Sequence, residues 1–273
     1  MKTPESAPLL IVGGGVAGLG LAWALSRTSG RSITVLEREE QPFRLSSAQN
    51  AAILRTAIDA PATRALTRRT AELLRTPPAD LTDRPLVDRR GLIVVEGRTG
   101  SPLPWWAEEV TAAGEARLLE DAALEELWPA FRREGARAWL FPEAGTIDIS
   151  RLGASLHAAI LRAGVTVRTG VEVRRLLAGE GGQRGGPVRG VELASGEQLE
   201  AATVCLAAGA WAGALGATVG ASFPGRPTRR HLFTTHRDER VDPAAPIVWD
   251  DAAPFYCRPE RGGLLACVGD LDD

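Results

Sequence analysis

A glycine-rich turn between a short apolar strand and a helix constrains the fold of this chain more than any other feature. Gly13, Gly15 and Gly18 form the pattern G-x-G-x-x-G after the apolar residues 9–13, and residues 19–26 continue as a helix. In such a turn the first glycine permits the sharp bend, the second lets the backbone approach a pyrophosphate, and the third lets the helix pack closely on the strand. The N–H groups and positive dipole end of the helix favour bound phosphates. The pattern therefore predicts a dinucleotide-binding β-α-β unit.

An acidic residue at the end of the next strand narrows the choice of dinucleotide. Residues 32–37 are rich in β-branched side chains and end at Glu37, which predicts a second parallel strand. A carboxylate at this point accepts hydrogen bonds from ribose hydroxyls and repels a 2′-phosphate, which disfavours NADP. A glycine-rich turn beside a surface glutamate is the alternative interpretation, and the motif alone does not say which dinucleotide binds.

The remaining pattern alternates helices with strands and then becomes rich in strands. Helical segments are predicted at residues 56–74, 118–127 and 151–163, and the last carries an apolar stripe at helical spacing. Two apolar segments are expected to form a hairpin with a flexible tip at residues 179–187; they are residues 171–177 and 188–193. Further strands are predicted at residues 92–95, 165–167, 203–207, 247–249, 255–258 and 264–268.

Charge and cysteine usage argue against several kinds of partner. The formal net charge of -2 gives no long-range field that favours nucleic acid or an anionic membrane. Cys205, Cys257 and Cys267 form no C-x-x-C pair and are odd in number, which argues against a zinc site and a disulfide framework. The apolar residues 9–25 lack a positively charged flank and are crowded with glycine, so we expect neither a leader nor a membrane span. A reducing cytoplasm is the predicted compartment.

Several segments, in order along nearly the whole chain, carry a family resemblance. They are GGGVAGLGLAWALSR, VLERE, SSAQNAAIL, GTIDISRLGASLHAAILRAGVTVRTGVEV, TVCLAAGAWAGAL and FYCRPERGGLLACVGD. With these segments the chain resembles the FAD-dependent D-amino-acid oxidase/dehydrogenase-like (DAO) family. That family includes glycine oxidases, sarcosine oxidases and D-amino-acid dehydrogenases. The resemblance implies FAD as the cofactor, although a shared fold can also carry unrelated chemistry.

The resemblance implies a non-covalent FAD that contacts four segments of the chain. The pyrophosphate and adenosine are assigned to the first β-α-β unit, at Gly13, Gly15, Val16, Ala17, Gly18, Glu37 and Arg38. The flavin-side phosphate and the isoalloxazine ring are assigned to Ser46, Ser47, Gln49, Asn50, Ala51 and Ala52. Two later segments complete the implied site, with Val173 beside adenine and with Ala207, Ala208, Gly209 and Trp211 near the pyrophosphate and ribitol. For Val173 and Ala207, plain core packing is the alternative.

The implied architecture is an α/β fold with two interleaved domains. One is a Rossmann-like FAD/NAD(P)-binding domain with a parallel sheet, assigned to residues 1–80 and 144–222. The other is a mainly antiparallel β substrate domain, assigned to residues 81–143 and 223–273 and expected to be incomplete. Family members continue beyond the hairpin that contains RPE, so the chain is expected to be truncated. A second chain that supplies the remaining part is an open alternative.

Two positions depart from the family pattern. Many members carry Gly-Arg where this chain has Ala48 and Gln49, and many D-amino-acid dehydrogenase-like members have a histidine near Leu45. A polar group that could face substrate is therefore missing from this loop. We expect the loop to bind FAD while the substrate specificity differs.

The leading functional prediction is oxidation of a C–N bond in a small amine or amino acid, such as a D-amino acid, glycine or an N-methyl amino acid, by hydride transfer to the flavin. Arg230 and Tyr256 are the substrate-side candidates, because an arginine fork pairs with a carboxylate and a tyrosine hydroxyl adds a third bond. For Arg230 a solvated arginine at a strand edge is an equal alternative, and Arg258 is predicted to be structural. Two other functions stay open: oxidation of a C–O bond in a hydroxy acid or polyol phosphate, and a non-catalytic FAD-binding fragment or subunit.

Lysine usage bears on the electron acceptor. Lys2 is the only lysine in the chain. Several oxygen-using relatives place a lysine beside the flavin in a strand that resembles residues 264–268, where this chain has the letters LLACV. A fixed positive charge there stabilises the negative charge that develops on oxygen. The resemblance therefore implies a dehydrogenase-type enzyme that uses oxygen slowly.

Overall fold

The computed structural model divides the chain into two discontinuous compact units. The first unit comprises Met1–Asn50 and Ile149–Pro227, and the second comprises Ala51–Asp148 and Thr228–Asp273. The structure describes residues 8–56, 58, 60–98, 103–104, 106–129, 135–178, 186–251, 253 and 255–269. These units differ from the domains proposed from the sequence chiefly at residues 51–80, which belong to the second unit.

The described elements alternate between the two units along the chain. The strands are β1 (Leu9–Val12), β2 (Ile33–Leu36), β3 (Ile53–Leu54), β4 (Val87–Asp88), β5 (Leu92–Arg98), β6 (Arg117–Leu119), β7 (Ala136–Phe141), β8 (Gly145–Ile147), β9 (Thr166–Arg168), β10 (Val173–Ala178), β11 (Val188–Leu193), β12 (Gln198–Glu200), β13 (Thr203–Leu206), β14 (Leu232–Thr234), β15 (Ile247–Asp250), β16 (Phe255–Glu260) and β17 (Gly263–Cys267). The α-helices are α1 (Val16–Ser26), α2 (Leu45–Ala48), α3 (Pro61–Arg75), α4 (Ala107–Ala112), α5 (Asp121–Leu127), α6 (Ile149–Arg162) and α7 (Ala212–Ala217).

The first unit is built on a four-stranded parallel sheet with the order β13-β1-β2-β9. The predicted β-α-β unit is confirmed, since α1 connects β1 to β2 and Leu9 pairs with Ile33. All four residues of β1 are buried, as expected for a central strand of a parallel sheet that is covered on both faces. The predicted hairpin is confirmed as β10 and β11, with β12 beside β11, and residues 179–185 of its tip lie outside the described residues.

An amphipathic helix contributes one wall of the first unit's core. The apolar stripe expected for residues 151–163 is buried in α6, at Leu152, Leu156, Ala159 and Ile160. The helix contacts α1, which buries Gly18, Leu19 and Ala22. The spacing of the stripe therefore predicted both the helix and its buried face.

The second unit contains a seven-stranded sheet with the order β14-β17-β16-β15-β5-β7-β6. β15 and β5 pair in parallel and the other neighbours pair in antiparallel fashion, which confirms the prediction of a mainly antiparallel β region. Residues 92–95 are fully buried in β5, and Trp106 packs edge-on against Trp139 with 5.2 Å between ring centroids. A smaller sheet joins β3, β8 and β4.

Two predicted helices begin later than expected. The helix predicted from residue 56 begins at Pro61, because proline fits the first helical turn, where its missing N–H has no partner to lose. The helix predicted from residue 118 begins at Asp121, because Leu118 and Leu119 pair with β7 as strand β6. Across the described part of the chain, every helix is too short or too polar to cross a membrane.

Candidate functional site

The glycine-rich turn requires two of its glycines for close packing. Gly13 has a φ of 108°, and a Cβ on it would collide with the backbone carbonyl of Ala207 at the end of β13. A Cβ on Gly18 would collide with the carbonyl oxygen of Gly13. Since neither neighbour is a flexible side chain, only glycine fits at these two positions without a backbone shift.

Ser47 lies at the N-terminus of α1. Its Oγ accepts a hydrogen bond of 2.9 Å from the Val16 N–H, and a Cβ on Gly15 would lie 2.8 Å from the same oxygen. The short helix α2 carries Ser47 to this point, while the Asn50 side chain donates to the carbonyls of Ser46 and Ser47. The turn and the segment after β2 therefore meet where a helix N-terminus can hold an anion.

The Glu37 carboxylate connects the turn to the end of β2. Its Oε2 accepts a hydrogen bond of 2.6 Å from the Gly14 N–H, and its Oε1 accepts one of 2.8 Å from the Glu39 N–H. A carboxylate offers about four lone-pair directions, so two such bonds leave acceptor capacity for a ligand hydroxyl. The Glu37 carboxylate thus stabilises the glycine-rich turn and can also accept hydrogen bonds from ribose hydroxyls.

A cavity of about 420 Å³ in the first unit collects most of the residues that the sequence assigned to a dinucleotide. Its lining includes the predicted residues Gly13, Gly15, Glu37, Arg38, Ser46, Ser47, Val173, Ala207, Ala208, Gly209 and Trp211. The other predicted residues of this unit do not line the cavity; Val16, Ala17 and Gly18 form the first turn of α1, and Gln49 and Asn50 follow α2. Ala51 and Ala52 belong to the second unit.

An arginine and a tryptophan stack at one wall of this cavity. The Arg38 guanidinium carbon lies 4.1 Å from the centroid of the Trp211 ring, a cation–π geometry. Val173 lies on the cavity wall and also packs in the apolar core with Leu36, so core packing is observed and the contact with adenine stays a prediction. Sequence reasoning missed several lining residues whose place depends on the hairpin and on α7, namely Val171, Glu172, Arg174, Ala194, Ala214 and Leu215.

The second unit has its own open cavity of about 1090 Å³. Its wall combines apolar side chains with a few polar and charged ones, at Ile53, Leu54, Arg55, Ile58, Ala60, Thr67, Thr70, Glu96, Pro104, Trp106, Ile147, Trp249 and Asp251. Arg55 donates to both carboxylate oxygens of Asp251, at 2.9 and 2.6 Å. A wall of apolar groups with few polar ones is typical of small-molecule sites.

The structure places one of the two predicted substrate-side residues on the seven-stranded sheet and the other just before its edge strand β14. Tyr256 lies on β16 and stacks on Trp249, a residue of the cavity wall, with 4.6 Å between ring centroids. Arg230 is exposed and precedes β14 by two residues. Leu232 of β14 and Tyr256 of β16 both pair with Cys267 of β17, so β17 lies between the strand that follows Arg230 and the strand that carries Tyr256. Sequence reasoning missed Arg55, Trp249 and Asp251.

Arg258 has the structural role predicted for it. The side chain is buried, its Nε donates to the Ala51 carbonyl at 2.8 Å, and its guanidinium pairs with Glu260. Ala52, the next residue of that loop, has a φ of 57°. Arg258 therefore stabilises the strained segment at Ala51 and Ala52 through a charge-assisted hydrogen bond.

Comparisons with known proteins identify relatives of the whole chain. The model of the DAO family, described as FAD dependent oxidoreductase, matches residues 9–273. The chain is 25% identical over 309 residues to FAD-dependent oxidoreductase domain-containing protein 1 of Bos taurus, which covers 95% of this chain and 61% of that relative. The chain thus spans less than two thirds of the relative's length.

Two solved structures share the fold. L-proline dehydrogenase from P. horikoshii aligns with a TM-score of 0.75 at 18% identity. The alignment covers 99% of this chain and 71% of the dehydrogenase chain. Glycine oxidase from Geobacillus kaustophilus aligns with a TM-score of 0.74 at 22% identity. That alignment covers 98% of this chain and 73% of the oxidase chain. The similarity to both extends across the two units.

Proposed function

Because this chain belongs to the DAO family of FAD-dependent oxidoreductases, we propose that it oxidises the C–N bond of a small amine or amino acid. Its cofactor is FAD and its reaction class is oxidoreduction. The observation that carries the finer proposal is the shared fold with a glycine oxidase and a proline dehydrogenase, whose named substrates are both amino acids. The substrate class is our proposal, because a shared fold does not determine which substrate an enzyme oxidises.

The first-unit cavity fits FAD by its chemistry. The closely packed turn at Gly13 and Gly18 leaves the α1 N-terminus open to an approaching pyrophosphate, and the Ser47 hydroxyl can rotate to donate to it. Glu37 retains acceptor capacity for the adenosine ribose hydroxyls. The stacked Arg38 and Trp211 offer a flat surface on the cavity wall against which part of FAD could pack. We assign non-covalent FAD binding to these residues.

The second-unit cavity is our candidate for the substrate. Ile53, Leu54 and Arg55 line it and follow Asn50 within five residues along the chain, directly after the segment assigned to the flavin. When bound, FAD supplies a hydride acceptor, and the carbon beside a neutral amine is the donor. The protein then has to orient the substrate and exclude water, which an apolar wall does. Arg230 and Tyr256 remain proposed carboxylate contacts.

Anaerobic flavin reduction tests the proposed function. FAD-loaded protein is mixed with glycine, sarcosine, D-amino acids and simple amines, and separately with hydroxy acids and glycerol phosphate, while flavin absorbance is followed. We expect at least one amine or amino acid to bleach the flavin with release of a carbonyl product. Bleaching by hydroxy compounds alone would assign the enzyme to C–O oxidation instead.

A variant without flavin controls for direct reaction between substrate and reagents. A branched side chain at Gly15 would crowd Ser47 and block the approach of the pyrophosphate, so Gly15→Val should lose FAD while it keeps its circular dichroism spectrum. The same amine must cause no absorbance change with this variant.

We also propose a cytoplasmic location, from three cysteines that are all free thiols.

A further inference from the structure

A short segment after β2 is hydrogen-bonded to the glycine-rich turn at both of its ends. The Phe43 N–H donates to the Gly14 carbonyl at 2.8 Å, and the Ser47 Oγ accepts a hydrogen bond of 2.9 Å from the Val16 N–H. The residues between these two contacts therefore run beside the N-terminus of α1. Arg44 is one of them, and it lines the first-unit cavity.

The backbone of this segment has a conformation that residues with a side chain rarely adopt. Phe43 has a φ of 62° and Leu45 has a φ of 43°, so both lie in the left-handed region. The Phe43 ring is buried against Gly153 of α6, where a Cβ would lie 2.5 Å from a ring carbon. Strain of this kind persists only where the surrounding contacts enforce it, and it is frequent at ligand sites. Arg44 lies between the two strained residues, so its backbone position is fixed.

Arg44 differs from the other arginines of the cavity wall in its contacts. Arg38 pairs with Glu39 at 3.2 Å, and Arg174 lies 3.9 Å from Glu192. Within the described part of the chain, the Arg44 guanidinium has no ion pair and no side-chain hydrogen bond. Its N–H donors are therefore open to a ligand of this cavity.

The anion expected at this end of the cavity lacks a full positive charge from the turn itself. The turn offers backbone N–H groups and the α1 dipole, and the first turn of α1 contains no acidic residue that would repel a phosphate. These groups supply only partial charges. A guanidinium adds a full charge, and its fork of N–H donors matches the geometry of phosphate oxygens.

We propose that Arg44 binds the pyrophosphate of FAD, as a phosphate-binding residue in addition to the glycine-rich turn. This inference rests on the assignment of FAD to the first-unit cavity and is independent of the substrate that the enzyme oxidises. The guanidinium stays protonated throughout the neutral range, so this contact is a permanent charge pair.

The first test changes the charge of this side chain. Arg44→Gln keeps a polar side chain without the charge and should raise the dissociation constant of FAD about tenfold, the effect of one charge-assisted hydrogen bond. Arg44→Lys keeps the charge without the fork and should weaken binding less than Arg44→Gln does. Quenching of flavin fluorescence during titration of FAD into the full chain measures each constant.

The second test identifies the part of FAD that Arg44 contacts. ADP-ribose carries the same pyrophosphate and adenosine but no flavin, and isothermal titration gives its dissociation constant. We expect Arg44→Gln to weaken ADP-ribose and FAD by the same factor. Added sodium chloride should weaken FAD binding more steeply for the unchanged protein than for Arg44→Gln, because salt screens a charge pair that is open to water.

A matched variant controls for the general loss of one positive charge. Arg189 is an exposed arginine of the same unit that pairs with Glu200 and does not line the cavity. Arg189→Gln should leave the dissociation constants of FAD and ADP-ribose unchanged. Thermal melts confirm that each variant is folded.

The outcomes decide the proposal in either direction. Equal losses of FAD and ADP-ribose affinity in Arg44→Gln, with a shallower salt dependence and a smaller loss in Arg44→Lys, support it. Unchanged FAD affinity in Arg44→Gln overturns this inference and leaves the FAD site intact. A loss for FAD without a loss for ADP-ribose, an unchanged salt dependence, or equal losses in the glutamine and lysine variants overturns it as well. The proposed amine oxidation fails separately, if FAD binds but no amine or amino acid bleaches it.

Discussion

Two glycines in the same helix offer a sharp test of the turn at the scale of single residues. Gly18→Ala places a methyl group against the Gly13 carbonyl, whereas a Cβ on Gly20 meets nothing within 4 Å. We expect Gly18→Ala to lose FAD binding and to lower the melting temperature. Gly20→Ala should be neutral or raise the free energy of unfolding by about 0.5–1 kcal/mol, since alanine is the better helix former. Equal behaviour of the two variants in melts and flavin content would contradict this packing.

Glu37 permits a second test, with Glu40 as its control. Glutamine at position 37 can offer only one oxygen to the two N–H donors of Gly14 and Glu39, and its amide N–H₂ would then face a donor. We expect Glu37→Gln to raise the dissociation constant of FAD about tenfold or more. Glu40→Gln removes the same charge at an exposed position and should leave that constant unchanged, as measured by quenching of flavin fluorescence.

The residues that the sequence could and could not predict differ in their separation along the chain. Gly13, Gly18 and Glu37 act within one β-α-β unit, so a local motif identifies them. Arg55 and Asp251 are 196 residues apart, and neither belongs to a recognisable spacing. Their pairing depends on how the whole second unit folds, which no local pattern encodes.

At the scale of elements, β16 buries a thiol whose reactivity should report on the sheet. Burial raises the pKa of Cys257 from its ordinary value of 9.0 to about 11. At pH 8 about one Cys257 thiol in a thousand is then ionised, and only the thiolate reacts quickly. We expect iodoacetamide to label Cys257 slowly at pH 8, with a rate that rises about tenfold per pH unit towards pH 11.

The same shift predicts how stability depends on pH. Because the folded state keeps the Cys257 proton to a higher pH than the unfolded state, the contribution of this thiol to the free energy of unfolding is complete below pH 9. It is lost as pH rises through about 11.

Mass spectrometry of labelled peptides, with Cys205 as the half-buried comparison in the same sample, measures the site-specific labelling rates. Labelling of Cys257 at pH 8 as fast as in denaturant would contradict the buried strand.

Elements were predictable where burial follows a simple period. The stripe of α6 and the continuous apolar run of β1 gave both the type and the approximate bounds of those elements. The short helix α2 was missed, because four residues are too few to show a helical period. Leu118 and Leu119 were assigned to a helix because their pairing with β7 comes from residues about twenty positions further along the chain.

At the scale of the whole molecule, the lack of a lysine in strand β17 leads us to predict that oxygen is a slow electron acceptor. The family resemblance assigns the flavin-side lysine of several oxygen-using relatives to a strand similar to β17, which contains Gly263, Leu264, Leu265, Ala266 and Cys267. Without that fixed positive charge, negative charge on oxygen is poorly stabilised. We expect the anaerobically reduced enzyme to be reoxidised more slowly by air-saturated buffer than by a quinone. Equal rates in stopped-flow experiments would contradict this prediction.

The fold class could be predicted because several independent segments indicated the same answer. The glycine-rich turn, Glu37 and the later segments each belong to one architecture, and the family match over residues 9–273 confirms it. The division of the chain into units was harder to predict. The chain passes from one unit to the other at residues 50 and 51, within the loop that the resemblance had assigned to the flavin.

The central claim is that the first unit holds FAD through its glycine-rich turn. The most direct measurement is the absorbance spectrum of the purified chain after incubation with FAD and removal of the excess, followed by acid precipitation and identification of the released compound. The account predicts a yellow protein with flavin absorbance and free FAD in the supernatant. A folded, colourless protein that retains no FAD and binds NADH instead would contradict it.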